Sequence, residues 1–194
     1  MKKLFGLTGK TGAGKSTVSA YLKSEGAYII DGDIVAREIL VDNPDLLKSL
    51  ADAFGEDILE NGALNRKRLA EKAFKTPEST FLLNSIMHPA INEKIHSEAN
   101  EAFKCYDAVI VDAAAIIESG FADACEKLIV VTAPEEIRKE RIIKRDGISE
   151  KDAMIRINGQ KNDNFYLSRA DYVIRNYEPF VLENELEQLI NDIF

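Results

Sequence analysis

The chain has 194 residues, of which 45% are hydrophobic and 30% charged, proportions that are ordinary for a globular domain. They exclude a collagen, a low-complexity tract and a largely disordered chain. Its 33 acidic residues outnumber 25 basic ones, and the net charge of −8 argues against non-specific nucleic-acid binding, which needs a basic surface. No apolar run approaches the roughly 18 residues of a membrane helix, so we expect no membrane partner.

The first residues and the cysteines favour an intracellular setting. The apolar stretch after Lys3 is too short for a signal peptide and leads directly into a glycine-rich loop, so we expect a cytoplasmic protein. Cys105 and Cys125 have neither a CxxC spacing nor a histidine pattern nearby. That predicts free buried thiols rather than a disulfide or a zinc site.

Five short apolar runs predict strands covered on both faces, because they are continuous rather than alternating. They lie at residues 3–8, 27–30, 108–112, 127–131 and 171–174. Helical patterns separate them, including one through about residue 25 and a last one from about residue 179. This order predicts an α/β fold with an open, doubly wound, parallel five-stranded sheet flanked by helices.

A long helical stretch separates the second strand from the third. Pro44 opens one helix and another runs near residues 66–74, while Pro77 and Pro89 are expected in the first turns of further helices. This stretch is too long for a simple crossover. It predicts a helical subdomain at the carboxyl edge of the sheet, beside the ligand crevice.

Residues 9–16 read GKTGAGKS and match the phosphate-loop pattern G-x-x-x-x-G-K-[ST] at every fixed position, after a strand and before a helix. Glycines let successive N–H groups surround an anion, and the following helix presents the positive end of its dipole. Lys15 can bridge phosphates and Ser16 can hold Mg²⁺. The alternative is a glycine-rich turn with a chance lysine.

Asp31 and Asp33 follow the second predicted strand, at the edge that faces the phosphate loop. A carboxylate at Asp33 can accept a proton from an attacking hydroxyl. Either aspartate can instead simply cap the next helix. Arg37 lies four residues after Asp33 on the same helical face, where it can hold Asp33, a substrate phosphate or a surface ion pair.

Asp112 closes the third apolar run, where an acid commonly assists Mg²⁺ binding in phosphate-loop enzymes. A loop acid or a helix cap is the alternative. Glu118, on the segment that follows, could reach the substrate crevice. His88, immediately before Pro89, is a weaker candidate, since a lone histidine at a helix start is more often structural.

Residues 138–161 carry eight basic and four acidic side chains, a net charge of +4 that leaves −12 for the rest of the chain. Arg138, Arg141 and Arg145 fall on one face of a predicted helix that starts near Pro134. Ser149 begins a capping box for a second helix. Two such helices predict a mobile lid whose arginines contact phosphoryl oxygens, with a solvated charged face as the alternative, above all for Arg138.

These segments together resemble the dephospho-coenzyme A kinase family over nearly the whole chain. The matching segments are the phosphate loop, D-G-D-I-V-A-R at 31–37, G-A-L-N-R at 62–66, His88-Pro89, the lid from Arg145 to Gln160, and A-D-Y-V-I-R-N at 170–176. Departures from the family pattern are Asn65 in place of aspartate, Ala114 in place of proline, and Tyr177-Glu178-Pro179 in place of a small or glycine-containing turn.

The resemblance implies ATP-dependent phosphorylation of the ribose 3′-hydroxyl of dephospho-coenzyme A, the last step of coenzyme A synthesis, with Mg²⁺ as the second cofactor. It implies Asp33 as the base, with Lys15 and Arg141 also catalytic. The expected nucleotide-binding residues are Thr11, Gly12, Ala13, Gly14, Lys15, Ser16, Thr17 and Arg145. The expected substrate-binding residues are Thr8, Asp33, Arg37, Arg66, His88 and Glu118, and the expected metal-binding residues are Ser16 and Asp112.

One kinase domain is therefore expected, with a core at about 1–33, 107–135 and 165–194, a substrate-binding subdomain at about 34–106 and a lid at about 136–164. The nearest rival is another phosphate-loop kinase, acting on a nucleotide or a metabolite. A GTPase-type switch would need N-K-x-D, which the sequence lacks. A degenerate, regulatory relative is a third possibility. No obligate protein partner is evident.

Overall fold

The computed structural model describes residues 2–194, with the backbone alone for residue 42. The chain forms two compact units, one of residues 2–31 and 99–194 and the other of residues 32–98. The elements in chain order are β1 (Lys3–Gly9), α1 (Lys15–Ser24), β2 (Tyr28–Asp31), α2 (Gly32–Asp42), α3 (Pro44–Phe54), β3 (Leu59–Glu60), β4 (Ala63–Leu64), α4 (Arg66–Ala73), α5 (Pro77–Ala102), β5 (Ala108–Asp112), β6 (Lys127–Thr132), α6 (Glu135–Asp146), α7 (Glu150–Asn158), α8 (Asp163–Leu167), β7 (Tyr172–Arg175) and α9 (Leu182–Ile193).

The first unit, called the sheet unit below, is built on five parallel strands in the order β2-β5-β1-β6-β7. The continuous apolar runs predicted strands that are covered on both faces, and β5 is indeed buried along its whole length. Helices α1 and α9 contribute to the same core as the strands. Its members include Phe5, Leu7, Val18, Leu22, Ile110, Ile129, Leu186 and Leu189. The predicted doubly wound parallel sheet is confirmed.

The strand order places the end of β1 at a change of direction in the sheet. From β1 the chain passes over β5 to reach β2, whereas β6 and β7 lie on the other side of β1. Ligands of open α/β sheets bind outside the carboxyl ends of the strands at such a switch point. The loop that leaves Gly9 starts there, and Asp31 and Asp112 are register neighbours at the same edge.

The second unit, called the helical unit below, contains α2, α3, α4 and most of α5. It also contains an antiparallel β3–β4 hairpin. This hairpin was not predicted, because the sequence pattern of this region indicated only helices. Asn61 and Gly62 form its turn with φ angles of 54° and 80°. Asn-Gly is the preferred pair for such two-residue turns, so the signal was present but masked by the helical patterns around it.

Helix α5 corrects the expectation for Pro89. Pro44 and Pro77 open α3 and α5 as predicted, but Pro89 lies inside α5, where it removes one intrahelical hydrogen bond. Buried Met87 and Ile95 on either side keep the helix packed through this position. Among residues 2–194 no helix, the 26-residue α5 included, combines the length and apolarity needed to cross a membrane.

The two cysteines are free, as predicted, but neither is fully buried. Cys105 is exposed, which corrects the expectation of two buried thiols. Cys125 is partly buried, and burial raises the pKa of its thiol to about 12.

Candidate phosphate-binding site

The phosphate loop connects β1 to α1 and takes its shape from glycines at two positions. Gly12 and Gly14 have φ angles of 79° and 91°, in the region that favours glycine. A Cβ atom on Gly12 would lie 2.5 Å from the carbonyl oxygen of Arg138. On Gly14 it would lie 2.0 Å from Asn176 Nδ2. The backbone therefore approaches its neighbours too closely for any other residue.

Helix α1 starts directly after Gly14 and points its first turn into the loop. Gly14 caps the helix in the left-handed conformation without a side-chain hydrogen bond, and the first turn contains no acidic residue. The free N–H groups and the dipole of a helix N-terminus favour an anion. Lys15, Ser16 and Thr17 thus lie where the motif predicts a phosphate site.

Lys15 forms an ion pair with Asp112, the last residue of β5. The exposed fractions of the two side chains are 22% and 11%, so the pair is largely shielded from solvent. Lys15 lies on α1 and Asp112 at the carboxyl edge of the sheet, so the fold brings together a predicted phosphate ligand and a predicted metal ligand. Each member of the pair neutralises the charge of the other.

Arg141 and Asn176 hold the carbonyl side of the loop. Arg141 donates to the carbonyl oxygens of Gly12 (3.3 Å), Ala13 (3.1 Å) and Asn176 (2.7 Å). Asn176 Nδ2 donates to those of Ala13 (3.3 Å) and Gly14 (3.2 Å). These five hydrogen bonds occupy the carbonyl oxygens of Gly12, Ala13 and Gly14 or link the loop to the end of β7, and together they fix the conformation of the loop.

Lys10 and Thr11, at the start of the loop, are held by residues that were not predicted from the sequence to have this role. Gln160, just after α7, accepts a hydrogen bond of 2.8 Å from the Thr11 N–H through its side-chain oxygen. Asp163, the first residue of α8, pairs with Lys10 at 2.8 Å. Gln160 entered the prediction only as the end of the lid, because no local pattern shows that its side chain meets a loop about 150 residues earlier.

The three arginines of α6 have different environments. Arg138 is buried, which rules out the alternative of a solvated face that the sequence favoured most for this arginine. Arg145 is exposed and donates to both carboxylate oxygens of Asp146, at 2.7 and 2.9 Å. Arg156 of α7 also pairs with Asp146, and hydrogen bonding to Arg145 is the main reason that the pKa of Asp146 lies below its usual value. The three arginines thus share one face of the helix by their spacing, but they differ in solvent exposure and in bonding partners.

Helices α6 and α7 form the predicted two-helix segment. Ile142, Ala153 and Ile157 make a small core of their own, separate from the core under the sheet. Ser149 caps α7 by accepting from the Asp152 N–H at 3.1 Å, as the capping pattern predicts. The α6–α7 pair is thus a self-contained packing element within the sheet unit.

Thr8 and Glu118, two of the predicted substrate residues, lie in the sheet unit. Thr8 is buried at the end of β1, and its hydroxyl donates to the Ala114 carbonyl at 3.3 Å. Glu118 is exposed in the segment after β5. The charge of Glu118 acts on Tyr166 of α8. The pKa of Tyr166 is raised mainly by burial, and the negative charge of Glu118 raises it further.

The helical unit holds the other candidates. Asp33 is exposed in the first turn of α2, with Arg37 one turn later. Arg66, the first residue of α4, donates to the Arg37 carbonyl oxygen at 3.2 Å, so the predicted substrate arginines are neighbours. His88 is partly buried within α5, and burial lowers its pKa.

Asn65, which stands where the family pattern has aspartate, caps helix α4 as an aspartate would. Its side chain caps α4 by accepting from the Arg68 N–H at 3.1 Å, and asparagine and aspartate are about equally good at this position. This departure from the family pattern leaves the start of α4 intact.

The metal prediction rests on Ser16 and Asp112, a hydroxyl and a carboxylate. Among residues 2–194 no three His, Cys, Asp or Glu side chains are grouped to hold a metal ion. Oxygen ligands suit Mg²⁺, which in nucleotide sites is commonly held by one or two protein groups together with substrate phosphates. The two residues therefore fit a magnesium ion that arrives with a nucleotide.

Comparison with known proteins gives matches over almost the whole chain. The family model described as "CoaE: Dephospho-CoA kinase" matches residues 3–181. A dephospho-CoA kinase of Corynebacterium jeikeium is 39% identical, over 97% of this chain and 94% of the relative. Among solved structures, one from Thermus thermophilus has a TM-score of 0.80 at 26% identity, covering 99% of this chain and 96% of its own. A dephospho-CoA kinase from Campylobacter jejuni has a TM-score of 0.62 at 27% identity, covering 99% and 97%.

The resemblance inferred from the motifs is confirmed by these matches, which extend through the loop, the helical unit and the α6–α8 region. The chain belongs to the dephospho-CoA kinase family.

Proposed function

We propose that the protein transfers the γ-phosphoryl group of ATP to the ribose 3′-hydroxyl of dephospho-coenzyme A, producing coenzyme A and ADP in the cytoplasm. The main support for this proposal is a complete phosphate loop whose carbonyl groups are held by Arg141 and Asn176. The loop belongs to a chain whose match to the family model spans residues 3–181. Kinases of this loop class catalyse mainly by positioning and by stabilising charge.

The loop residues Thr11 to Thr17 would hold the β- and γ-phosphates. Lys15 would leave Asp112 to contact phosphate oxygens, which suits a lysine because its ammonium is a compact charge on a flexible stem. That exchange would leave the Asp112 carboxylate and the Ser16 hydroxyl available to hold Mg²⁺. The metal ion, when bound, would neutralise charge on the phosphate chain.

Asp33 would act as the general base. Its carboxylate would accept the proton of the 3′-hydroxyl while the oxygen forms a bond to the γ-phosphorus and the bond to the ADP oxygen breaks. Asp33 is the second residue of α2 and lies two residues after the end of β2, and its exposure supports this role because a base must be reachable by the acceptor.

The lid at about 136–164 would supply further cations. Arg145 would contact the nucleotide, exchanging its bonds to Asp146 for phosphate oxygens, and Arg141 would assist phosphoryl transfer besides holding the loop. A closing lid also excludes water, which would otherwise accept the phosphoryl group.

The substrate-binding subdomain at about 34–106 would bind dephospho-coenzyme A. This acceptor carries a pyrophosphate, and the neighbouring Arg37 and Arg66 suit such a group because guanidinium groups form paired hydrogen bonds to phosphoryl oxygens. His88 on α5, with Thr8 and Glu118 of the sheet unit, completes the proposed substrate set.

A coupled ADP-release assay tests the proposal. With ATP and Mg²⁺, we expect ADP release that depends on dephospho-coenzyme A, a product heavier by one phosphoryl group, and loss of activity on removal of Mg²⁺. Nucleoside monophosphates serve as rival acceptors. Turnover of one of them without turnover of dephospho-coenzyme A would identify another phosphate-loop kinase, and GTP hydrolysis independent of any acceptor would identify a switch-type protein.

A further inference from the structure

Arg138 has an environment that the predicted lid does not explain. Its side chain is only 4% exposed, although it belongs to the same stripe as the exposed Arg145. Arginine stays protonated at any physiological pH, so a full positive charge is buried at this place. Buried charges are normally paired or well hydrogen-bonded, because removal from water is strongly unfavourable.

The partners of Arg138 satisfy only part of its guanidinium. Nε donates to the Ala133 carbonyl oxygen at 3.1 Å. The ion pair with Glu135 is long, with 3.9 Å from Nη2 to the carboxylate, and the glutamate is 52% exposed and thus screened by solvent. Nη1 is buried and has no hydrogen-bond partner in the part of the chain that the structure describes. The charge is therefore only weakly compensated.

Arg138 lies directly against the phosphate loop. The Gly12 position approaches the Arg138 backbone so closely that a Cβ atom there would be 2.5 Å from its carbonyl oxygen and 2.9 Å from its Cα. The side chain also lines a cavity of about 10 Å³ together with Ala13 of the loop and buried Tyr166. That volume accommodates about one water molecule and no phosphate, so Arg138 does not contact a nucleotide through it.

The other charged groups at this cavity add little net charge. Lys10 and Asp163 both line it, but they pair with each other at 2.8 Å. Tyr166, the third titratable neighbour, is neutral at physiological pH, since burial raises its pKa further. Arg138 is therefore the charged residue lining this cavity that lacks a close ionic partner.

We propose that Arg138 is a positioning residue that supports the loop from behind and supplies a buried positive potential for the polyphosphate chain of the nucleotide. In a low-dielectric interior this potential is screened far less than that of a surface arginine. The proposal rests on the proposed nucleotide binding. It differs from a direct contact because its effect grows with the charge of the ligand and not with one particular hydrogen bond.

Equilibrium binding of ATP, ADP and AMP to the full chain tests the proposal. In Arg138→Met we expect the dissociation constant to rise on the order of 10-fold for ATP, less for ADP and least for AMP, at both low and high salt. Arg138→Lys should retain most of the affinity because it keeps the charge. The exposed Lys144→Met, on the same helix, should leave affinity at high salt unchanged.

Equal losses for the three nucleotides, no loss for any, or a loss in Arg138→Lys as large as in Arg138→Met would overturn the proposal, because the positive charge would then not account for the effect. Absence of ATP binding to the wild type would instead refute the proposed function. If Arg138→Met fails to fold, Glu135→Gln provides the test. Removing the partial counter-charge should tighten ATP binding about 2-fold, whereas weaker binding would contradict a role for the buried potential.

Discussion

The candidate residues around the phosphate loop and those of the helical unit lie in different settings. Around the loop the side chains are held by one another and by the loop backbone, as in the Lys15–Asp112 ion pair and in the hydrogen bonds from Arg141 to the loop. In the helical unit Asp33, Arg37 and Arg66 are exposed on helices. The fold therefore holds the candidate residues around the loop in place, whereas those of the helical unit are accessible to solvent.

This difference indicates what substitutions should do in each unit. Groups held by the fold affect stability, nucleotide affinity and turnover together, because their contacts serve all three. Exposed groups affect turnover or acceptor binding while the folded state is hardly altered, since surface substitutions rarely change stability by more than about 0.5 kcal/mol.

The largest expected effect is that of Asp33→Asn in the helical unit. Loss of a general base lowers kcat by roughly 10²–10⁴-fold, while ATP affinity and stability should stay near the wild-type values. Stopped-flow or coupled assays with dephospho-coenzyme A measure kcat, and equilibrium titration measures ATP affinity.

Asp45→Asn is the matched control, because Asp45 is also an exposed first-turn acid of a helix in the same unit. It should lose only the favourable interaction with the helix dipole. Equal, small effects of the two substitutions would reduce Asp33 to a helix-terminal acid and remove it from the base role.

Lys15→Ala should act on both binding and turnover, in contrast to Asp33→Asn. We expect kcat to fall on the order of 10²–10³-fold and ATP affinity to fall as well, because the lysine would contact the reacting phosphate. The substitution also leaves the mostly buried Asp112 unpaired and should lower stability.

The double variant Lys15→Ala/Asp112→Asn separates these consequences. It should recover stability in chemical denaturation, since the unpaired charge is gone, without recovering ATP binding. Lys23→Ala, at the exposed end of α1, controls for the loss of a positive charge. Unimpaired ATP use by Lys15→Ala would contradict the assignment of the loop.

Arg141→Lys tests whether the loop depends on the shape of a side chain as well as on its charge. Lysine keeps the charge, but its single nitrogen cannot take the positions of both Nη1 and Nη2, so we expect about 1–3 kcal/mol less free energy of unfolding and roughly 10-fold weaker ATP binding. Arg37→Lys, exposed in the helical unit, should change stability by less than about 0.5 kcal/mol. Indistinguishable stabilities would show that the contacts to the loop carbonyls contribute nothing.

The elements governed by local pattern could be predicted from the sequence. The phosphate loop, the five buried strands and the Ser149 cap depend on residues close together in the chain, and each was found near its predicted bounds. The Asn-Gly turn of the β3–β4 hairpin was equally local but was overlooked among helical patterns.

Contacts between distant segments could not be predicted in this way. Periodicity placed Arg138 and Arg145 on one face of α6, but only the packing of that helix on the loop decides that one is buried and the other exposed. The bond from the Thr11 N–H to Gln160 and the continuation of α5 through Pro89 likewise depend on tertiary contacts that outweigh local preference.

The smallest expected effect concerns His88, the partly buried candidate of the helical unit. Burial lowers its pKa in the folded protein below the ordinary value of 6.5, so the unfolded chain takes up the proton first as pH falls. The contribution of His88 to stability is therefore fully present above about pH 6.5, its pKa in the unfolded chain, and is lost as pH falls from there through the lower pKa of the folded protein. Chemical denaturation between about pH 7.5 and 5.5 should show a shallower pH dependence for His88→Asn than for the wild type or for His96→Asn, an exposed position on the same helix. Identical slopes for all three proteins would mean that the burial of His88 in the folded protein does not affect its ionisation, because its proton would then bind equally well in both states.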